Sequence, residues 1–255
     1  MTQVGKEMTK SDKEIAEYLR KNGEIFCEEL HDRSHHFFQT LPYSYFAVAC
    51  AISLSWTGHA KYDDDFIFYA SAYIDAAIAK DPKITKLYSL RFGEEGLDTA
   101  LTNFRIYLNR VKNLMPDFNV CSIQDINVLQ QRLLNKLTVL RDNGEVIGIG
   151  PWLFLGAFKI ILEDQKRFWQ NDGIDAIVMP TGLEVDRGIV RLKNEGYSFM
   201  KDFDLHWLEE NKGTLSDNYA TCIMVHSHIV KIAKISGTTA LQINSALYKY
   251  GRKEL

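Results

Sequence analysis

Gly148-Ile149-Gly150-Pro151-Trp152 is the stretch of this chain whose residue types are best suited to grip a charged partner. Two glycines one residue apart can take positive φ and let a ligand come close to the backbone. Pro151 has no N–H to lose and suits the first position of a helix. Leu153, Phe154, Ala157, Phe158, Ile161 and Leu162 then recur at helical spacing. A tight glycine turn on a helix N-terminus presents unpaired N–H groups, a ready anion site. The expected anion is a nucleic-acid phosphate, with Gly148, Ile149, Gly150 and Trp152 as the contact residues. Such a contact positions a duplex without reading its sequence.

A second group of chemically capable residues is Cys27, His31 and His35, spaced so that all three can share one helix face. A metal needs at least three inward ligands. These side chains are read instead as core or solvated residues, and neither a metal nor a cofactor is expected. Cys222 and His226 repeat the spacing and receive the same reading, while His226 and His228 point to different faces.

The elements that must position these residues are helical. The 255 residues carry a hydrophobic fraction of 46% and a formal net charge of −3, enough apolar material for a sizeable core. A slightly acidic total is unusual for a nucleic-acid binder, yet binding depends on a local patch and not on the sum. Cys27, Cys50, Cys121 and Cys222 form no Cys-x-x-Cys pair, which excludes a zinc ribbon or an iron–sulfur loop and reads as reduced core cysteines. The polar N-terminus has no apolar signal core, and no run is long enough to span a bilayer. A soluble cytoplasmic protein without membrane partners is expected, nucleoid-associated when bound to DNA.

Along the chain, Ser11 and Glu14 form a capping-box pattern that opens a helix to about His31. Asp32-Arg33-Ser34 and Leu41-Pro42 read as breaks. Tyr43 to Trp56 is apolar nearly all round, a buried central helix. The acids Asp63, Asp64 and Asp65 favour the start of a helix from Phe66 to Lys80, which Asp81-Pro82 stops. Leu97 to Leu114 is a helix carrying Arg105, Arg110 and Lys112. Ser122 to Asp125 opens a helix to Leu140 with Leu129, Leu133, Leu137 and Leu140 on one face. The helix after the glycine turn is expected to reach about Trp169. Asn171-Asp172-Gly173 is a turn, and Ala176 to Met179 is short and apolar, with no visible partner strand. Thr181 to Glu184 is a second capping-box pattern, for a helix to about Lys193. Asp202 to Glu210 is a short amphipathic element. Ser216 to Ser236 and Thr239 to Tyr250 are the last helices, parted by Gly237. The fold class expected is all-α, a two-lobed helical bundle with a helix-hairpin-helix motif and a cleft between lobes. Residues 1–40 read as an N-terminal helical extension and 41–255 as the main domain, its second lobe at about 97–196.

Ile147 to Trp152, followed by Pro180-Thr181-Gly182-Leu183-Glu184-Val185-Asp186-Arg187-Gly188-Ile189, resembles the helix-hairpin-helix DNA glycosylase superfamily. Within it the chain is most similar to the archaeal 8-oxoguanine glycosylases. Ala51 to Gly58 with Phe66 and Tyr69 resembles their early helix, and Leu241 to Arg252 their final one. The resemblance implies duplex DNA as partner, with one base flipped from the stack. It also implies a catalytic aspartate in the loop after the hairpin's second helix, a position that falls here on Gly182. Members with a lysine nucleophile carry it near the hairpin, where this chain has Trp152.

Cleaving an N-glycosidic bond builds positive charge on the sugar, which a carboxylate stabilises or a lysine attacks. A glycine does neither, so the acid must come from a displaced position. Of Asp172, Asp175, Glu184 and Asp186, the catalytic candidates are Asp186, one helical turn beyond Gly182, and Asp175, which precedes the apolar piece. Glu184 is accounted for as a cap, and Lys159 is expected to snorkel from an apolar face. A flipped base needs aromatic stacking, and Trp56, Phe66 and Trp169 are the base-pocket candidates, with Tyr62 and Trp152 also considered. Three readings follow: an active base-excision enzyme, a glycosylase-fold DNA sensor without cleavage, and an N-glycosidase acting on a free nucleoside or nucleotide.

Overall fold

The computed structural model describes residues 9–55, 64–79, 122–142, 151–206 and 219–252. The expected helix at 97–114 and the stop at Asp81-Pro82 lie outside them. Eight α-helices and no strand are found among the described residues: α1 (Lys10–Thr40), α2 (Tyr45–Ser55), α3 (Asp64–Ala79), α4 (Ile123–Asp142), α5 (Pro151–Asp164), α6 (Leu183–Asn194), α7 (Tyr219–Ser236) and α8 (Ala240–Gly251). The all-α class therefore holds.

Two clusters of buried side chains organise the helices. The first joins α2, α3, α4 and α5 around Ile52, Ile67, Leu133 and Phe158. The second joins α6, α7 and α8 around Val185, Ile229 and Ile243. Helix α1 belongs to both: Ile15 and Leu19 enter the second cluster, Cys27 and Phe37 the first. Helix α2 and residues 153–163 of α5 are buried nearly all round, as their mostly apolar sequence requires. Helix α3 begins with Asp64 and Asp65 in its first turn, where the helix dipole favours them. Ser122 and Asp125 make the reciprocal cap that opens α4. Leu129 and Leu133 of α4 are buried.

Helix α8 is approached very closely by two others. A Cβ added at Gly23 of α1 would sit 2.4 Å from the carbonyl oxygen of Gln242, and one at Gly188 of α6 2.5 Å from that of Leu247. A Cβ at Gly251 would lie 1.9 Å from the carbonyl oxygen of Glu184. Only glycine lets these backbones meet. Gly237, at φ +65, makes the bend between α7 and α8.

Several boundaries differ from the sequence reading. Helix α1 runs unbroken through Asp32-Arg33-Ser34, because the Ser34 hydroxyl donates to the carbonyl of Leu30 at 2.8 Å and so finds its partner inside the helix. Its cap is Thr9 with Asp12, not Ser11 with Glu14. Helix α5 ends at Asp164 instead of Trp169. The Trp169 indole N–H donates to the carbonyl of Leu162 at 2.9 Å, and His31 Nδ1 lies 3.2 Å from the carbonyl of Glu163. These side chains take carbonyls that further helix would otherwise use. Thr181 does not cap α6: the N-cap is Gly182, with no side-chain bond, and Thr181 is buried with its hydroxyl 3.6 Å from Cys222 Sγ.

Candidate functional site

The two candidate acids flank the extended segment that leads into α6. Beyond α5 the chain makes a short 3₁₀ turn at Lys166–Phe168 and a second at Asp172–Ala176, the latter opened by Asn171, whose side chain accepts from the N–H of Gly173. Ile177 to Pro180 is then fully buried. Among the described residues no strand pairs with it, and side chains pair its backbone groups. Gln130 of α4 donates to the carbonyl of Val178 at 2.9 Å and accepts from its N–H at 2.8 Å. The N–H of Met179 donates to His226 Nδ1 at 3.3 Å, and Asn244 of α8 donates to the carbonyl of Pro180 at 2.8 Å. Because His226 Nδ1 is an acceptor, its Nε2 carries the proton and donates to the carbonyl of Asp175 at 2.9 Å. Burial pushes His226 below its ordinary pKa, outweighing that bond.

Asp175 and Asp186 are used differently. Asp175 Oδ1 accepts from the N–H of Ala240 at 2.7 Å and so caps α8. Asp186 lies in the first turn of α6, 9% exposed, and its N–H donates to the carbonyl of Gly182 at 3.0 Å. Gly182 and Asp186 are thus the two ends of one helical turn. Glu184, a turn neighbour, pairs with Arg187 at 3.2 Å.

Gly148, Ile149, Gly150 and Trp56 lie outside the described residues, as does the side chain of Trp152, although Pro151 does open α5. Phe66 and Trp169 are each 8% exposed and belong to the first core cluster.

Lys159 does not snorkel. Its Nζ lies 2.5 Å from Glu163 Oε1 one turn along α5, and both residues are buried. Glu163 also accepts from the hydroxyl of Ser245 at 3.3 Å, which in turn is 3.5 Å from Cys27 Sγ. With partners inside the core the ammonium has no need to reach water. Burial raises the Glu163 carboxyl above its usual range despite Lys159. Burial and the nearby Glu163 push the Cys27 thiol up to about 12, an inert core cysteine.

His31 and His35 come together with Asp164, while Cys27 lies against Ser245. His35 Nδ1 lies 2.6 Å from Asp164 Oδ1, Tyr45 donates to Asp164 Oδ2, and Gln39 Nε2 lies 2.7 Å from His35 Nε2. An amide donor on Nε2 leaves the His35 proton on Nδ1, where it donates to Asp164. Burial and the adjacent Asp164 carboxylate push the Tyr45 hydroxyl far above its ordinary pKa. His31, His35 and Asp164 form the group of potential metal ligands found among the described residues. Asp164, Tyr45 and Gln130 carry no local sequence signal: their partners are remote in the chain, and only the folded helices bring them together.

Comparison with protein-family models, with curated proteins and with solved structures finds no match to this chain.

Proposed function

We propose that the protein recognises a flipped base in duplex DNA and hydrolyses its N-glycosidic bond, with Asp186 as the acid at the sugar. The observation that carries this reading is the division of labour between the two candidate carboxylates. Asp175 is committed to capping α8, whereas Asp186 is nearly buried one turn after Gly182, the position to which the glycosylase resemblance assigns the acid. The first turn of a helix favours a negative charge. As the bond breaks, the base leaves with the electron pair, positive charge gathers on the sugar, and water adds to its C1′. A fixed negative charge beside that carbon lowers the barrier. Arg132 and Lys136 are exposed cations on α4, the helix that precedes the glycine turn in the sequence, and positive charge of this kind attracts a phosphate backbone.

The test is an assay of base release from duplexes bearing oxidised, deaminated or alkylated bases, paired with duplex affinity across salt concentrations. Release of one class of base, with affinity falling steeply as salt rises, supports the reading. Salt-dependent binding without release of any base identifies a DNA sensor instead. Absence of duplex binding, with cleavage of a free nucleoside, overturns DNA as the partner.

A further inference from the structure

We propose that His31, His35 and Asp164 bind one divalent transition-metal ion, with zinc the best match to the donor set. The site is independent of Asp186 and of the segment that leads to α6. His31 and His35 stand on successive turns of α1, the spacing at which two imidazoles on one helix face can share an ion. Asp164, the last residue of α5, supplies the third ligand. One ligand atom from each residue lies within 4.8 Å of the others. Tetrahedral zinc with nitrogen and oxygen ligands at about 2.0–2.2 Å holds them roughly 3.3 Å apart. Small side-chain rotations therefore close the site.

The surroundings are those of ligands held in place. His31 Nδ1 faces the carbonyl of Glu163 at 3.2 Å. A ring N–H donated there leaves the Nε2 lone pair for the metal, the usual outer-shell arrangement of a metal-binding histidine. Tyr45 donates to one oxygen of Asp164 and leaves the other directed at His35. The ion takes the place of the proton between His35 Nδ1 and Asp164. The proton that leaves Nδ1 is taken up at Nε2 by exchange with solvent, so His35 stays neutral as the other tautomer, and Gln39 turns its amide oxygen to accept from Nε2. The His31 and His35 rings stack at 4.7 Å between centroids, and Trp169 meets His31 edge-on at 6.2 Å, so the imidazoles have few alternative positions.

Access and charge also suit a cation. The Asp164 side chain is 8% exposed and that of His35 40%, so the carboxylate is fixed by the fold while the imidazole opens to solvent. Of the neighbouring cations, Lys166 is paired with Glu28, and Arg167 bonds the side chain of Gln165 and lies over the Phe168 ring. Two imidazoles and one carboxylate suit zinc, nickel or copper, whereas magnesium and calcium prefer oxygen. Three protein ligands leave a fourth position for water.

The experiment is calorimetric titration of the untagged full-length chain with zinc chloride, with cobalt chloride absorption as a geometric probe. One ion per chain and the visible bands of tetrahedral cobalt are expected, with no competition from magnesium. His31→Gln keeps a side chain able to bond the Glu163 carbonyl, and with His35→Ala it should weaken zinc binding at least tenfold with an unchanged far-UV spectrum. Tyr45→Phe, which frees a ligand without removing one, should weaken it roughly tenfold. Absence of saturable binding, or an affinity unchanged in His31→Gln and His35→Ala, would overturn the proposal.

Discussion

Gln130 and Val178 bond each other in both directions: the side-chain amide donates to the carbonyl and accepts from the N–H of the same buried residue. A single side chain thereby does for one residue what a neighbouring strand does in a sheet. The segment it holds leads directly into the turn that carries Asp186.

Replacing Gln130 by leucine should destabilise the protein by about 2–4 kcal/mol, because two buried backbone groups lose their partners at once. Urea unfolding measures this.

The buried Lys159–Glu163 pair predicts a coupled result. Lys159→Met by itself should cost roughly 3–5 kcal/mol by leaving a carboxyl without its counter-charge in the core, while the double change Lys159→Met with Glu163→Leu should cost far less. A double-mutant cycle reads the difference, and additive losses would mean that the two side chains act independently.

Stability should fall in two steps as the solution is acidified. His226 is depressed below 6.5 by burial, so its contribution is complete above that pH and is lost as pH falls toward its lower folded value. For Asp12, burial works to raise the pKa but is outweighed by bonds from Thr9 and from the hydroxyl and N–H of Ser198, which hold it at about 2. Its contribution is complete above 3.8 and is lost as pH falls toward 2. Thermal melts across pH should show both steps, and His226→Gln should remove the upper one.

Gly251→Ala should lower stability by about 1–3 kcal/mol, because its methyl meets backbone and not a movable side chain. Chemical denaturation measures the loss, and an unchanged midpoint would mean that α6 and α8 can part without penalty.

Where local chemistry decides the structure, it was legible in the sequence. The Ser122–Asp125 cap, the acids that open α3, the Gly237 bend and the buried periodicity of α5 all follow from neighbours a few residues apart. Ser34 misleads because a hydroxyl that breaks a helix in one setting bonds back to the helix in another. Thr181 misleads because its side chain is drawn toward Cys222 on a remote helix. Asp164 with His35, 129 positions apart, and Gln130 with Val178, 48 apart, leave no mark on local pattern. Lys159 looked solvated because its buried counter-charge becomes visible only when α5 is seen enclosed nearly all round.

The assignment of the acid is tested most directly by comparing Asp186→Asn with Asp175→Asn in single-turnover base release from a modified duplex. Asp186→Asn should abolish release while leaving duplex affinity and the melting temperature near those of the native chain. Asp175→Asn should lower the melting temperature through its weakened cap on α8 and still release the base. Full release by Asp186→Asn would contradict the account.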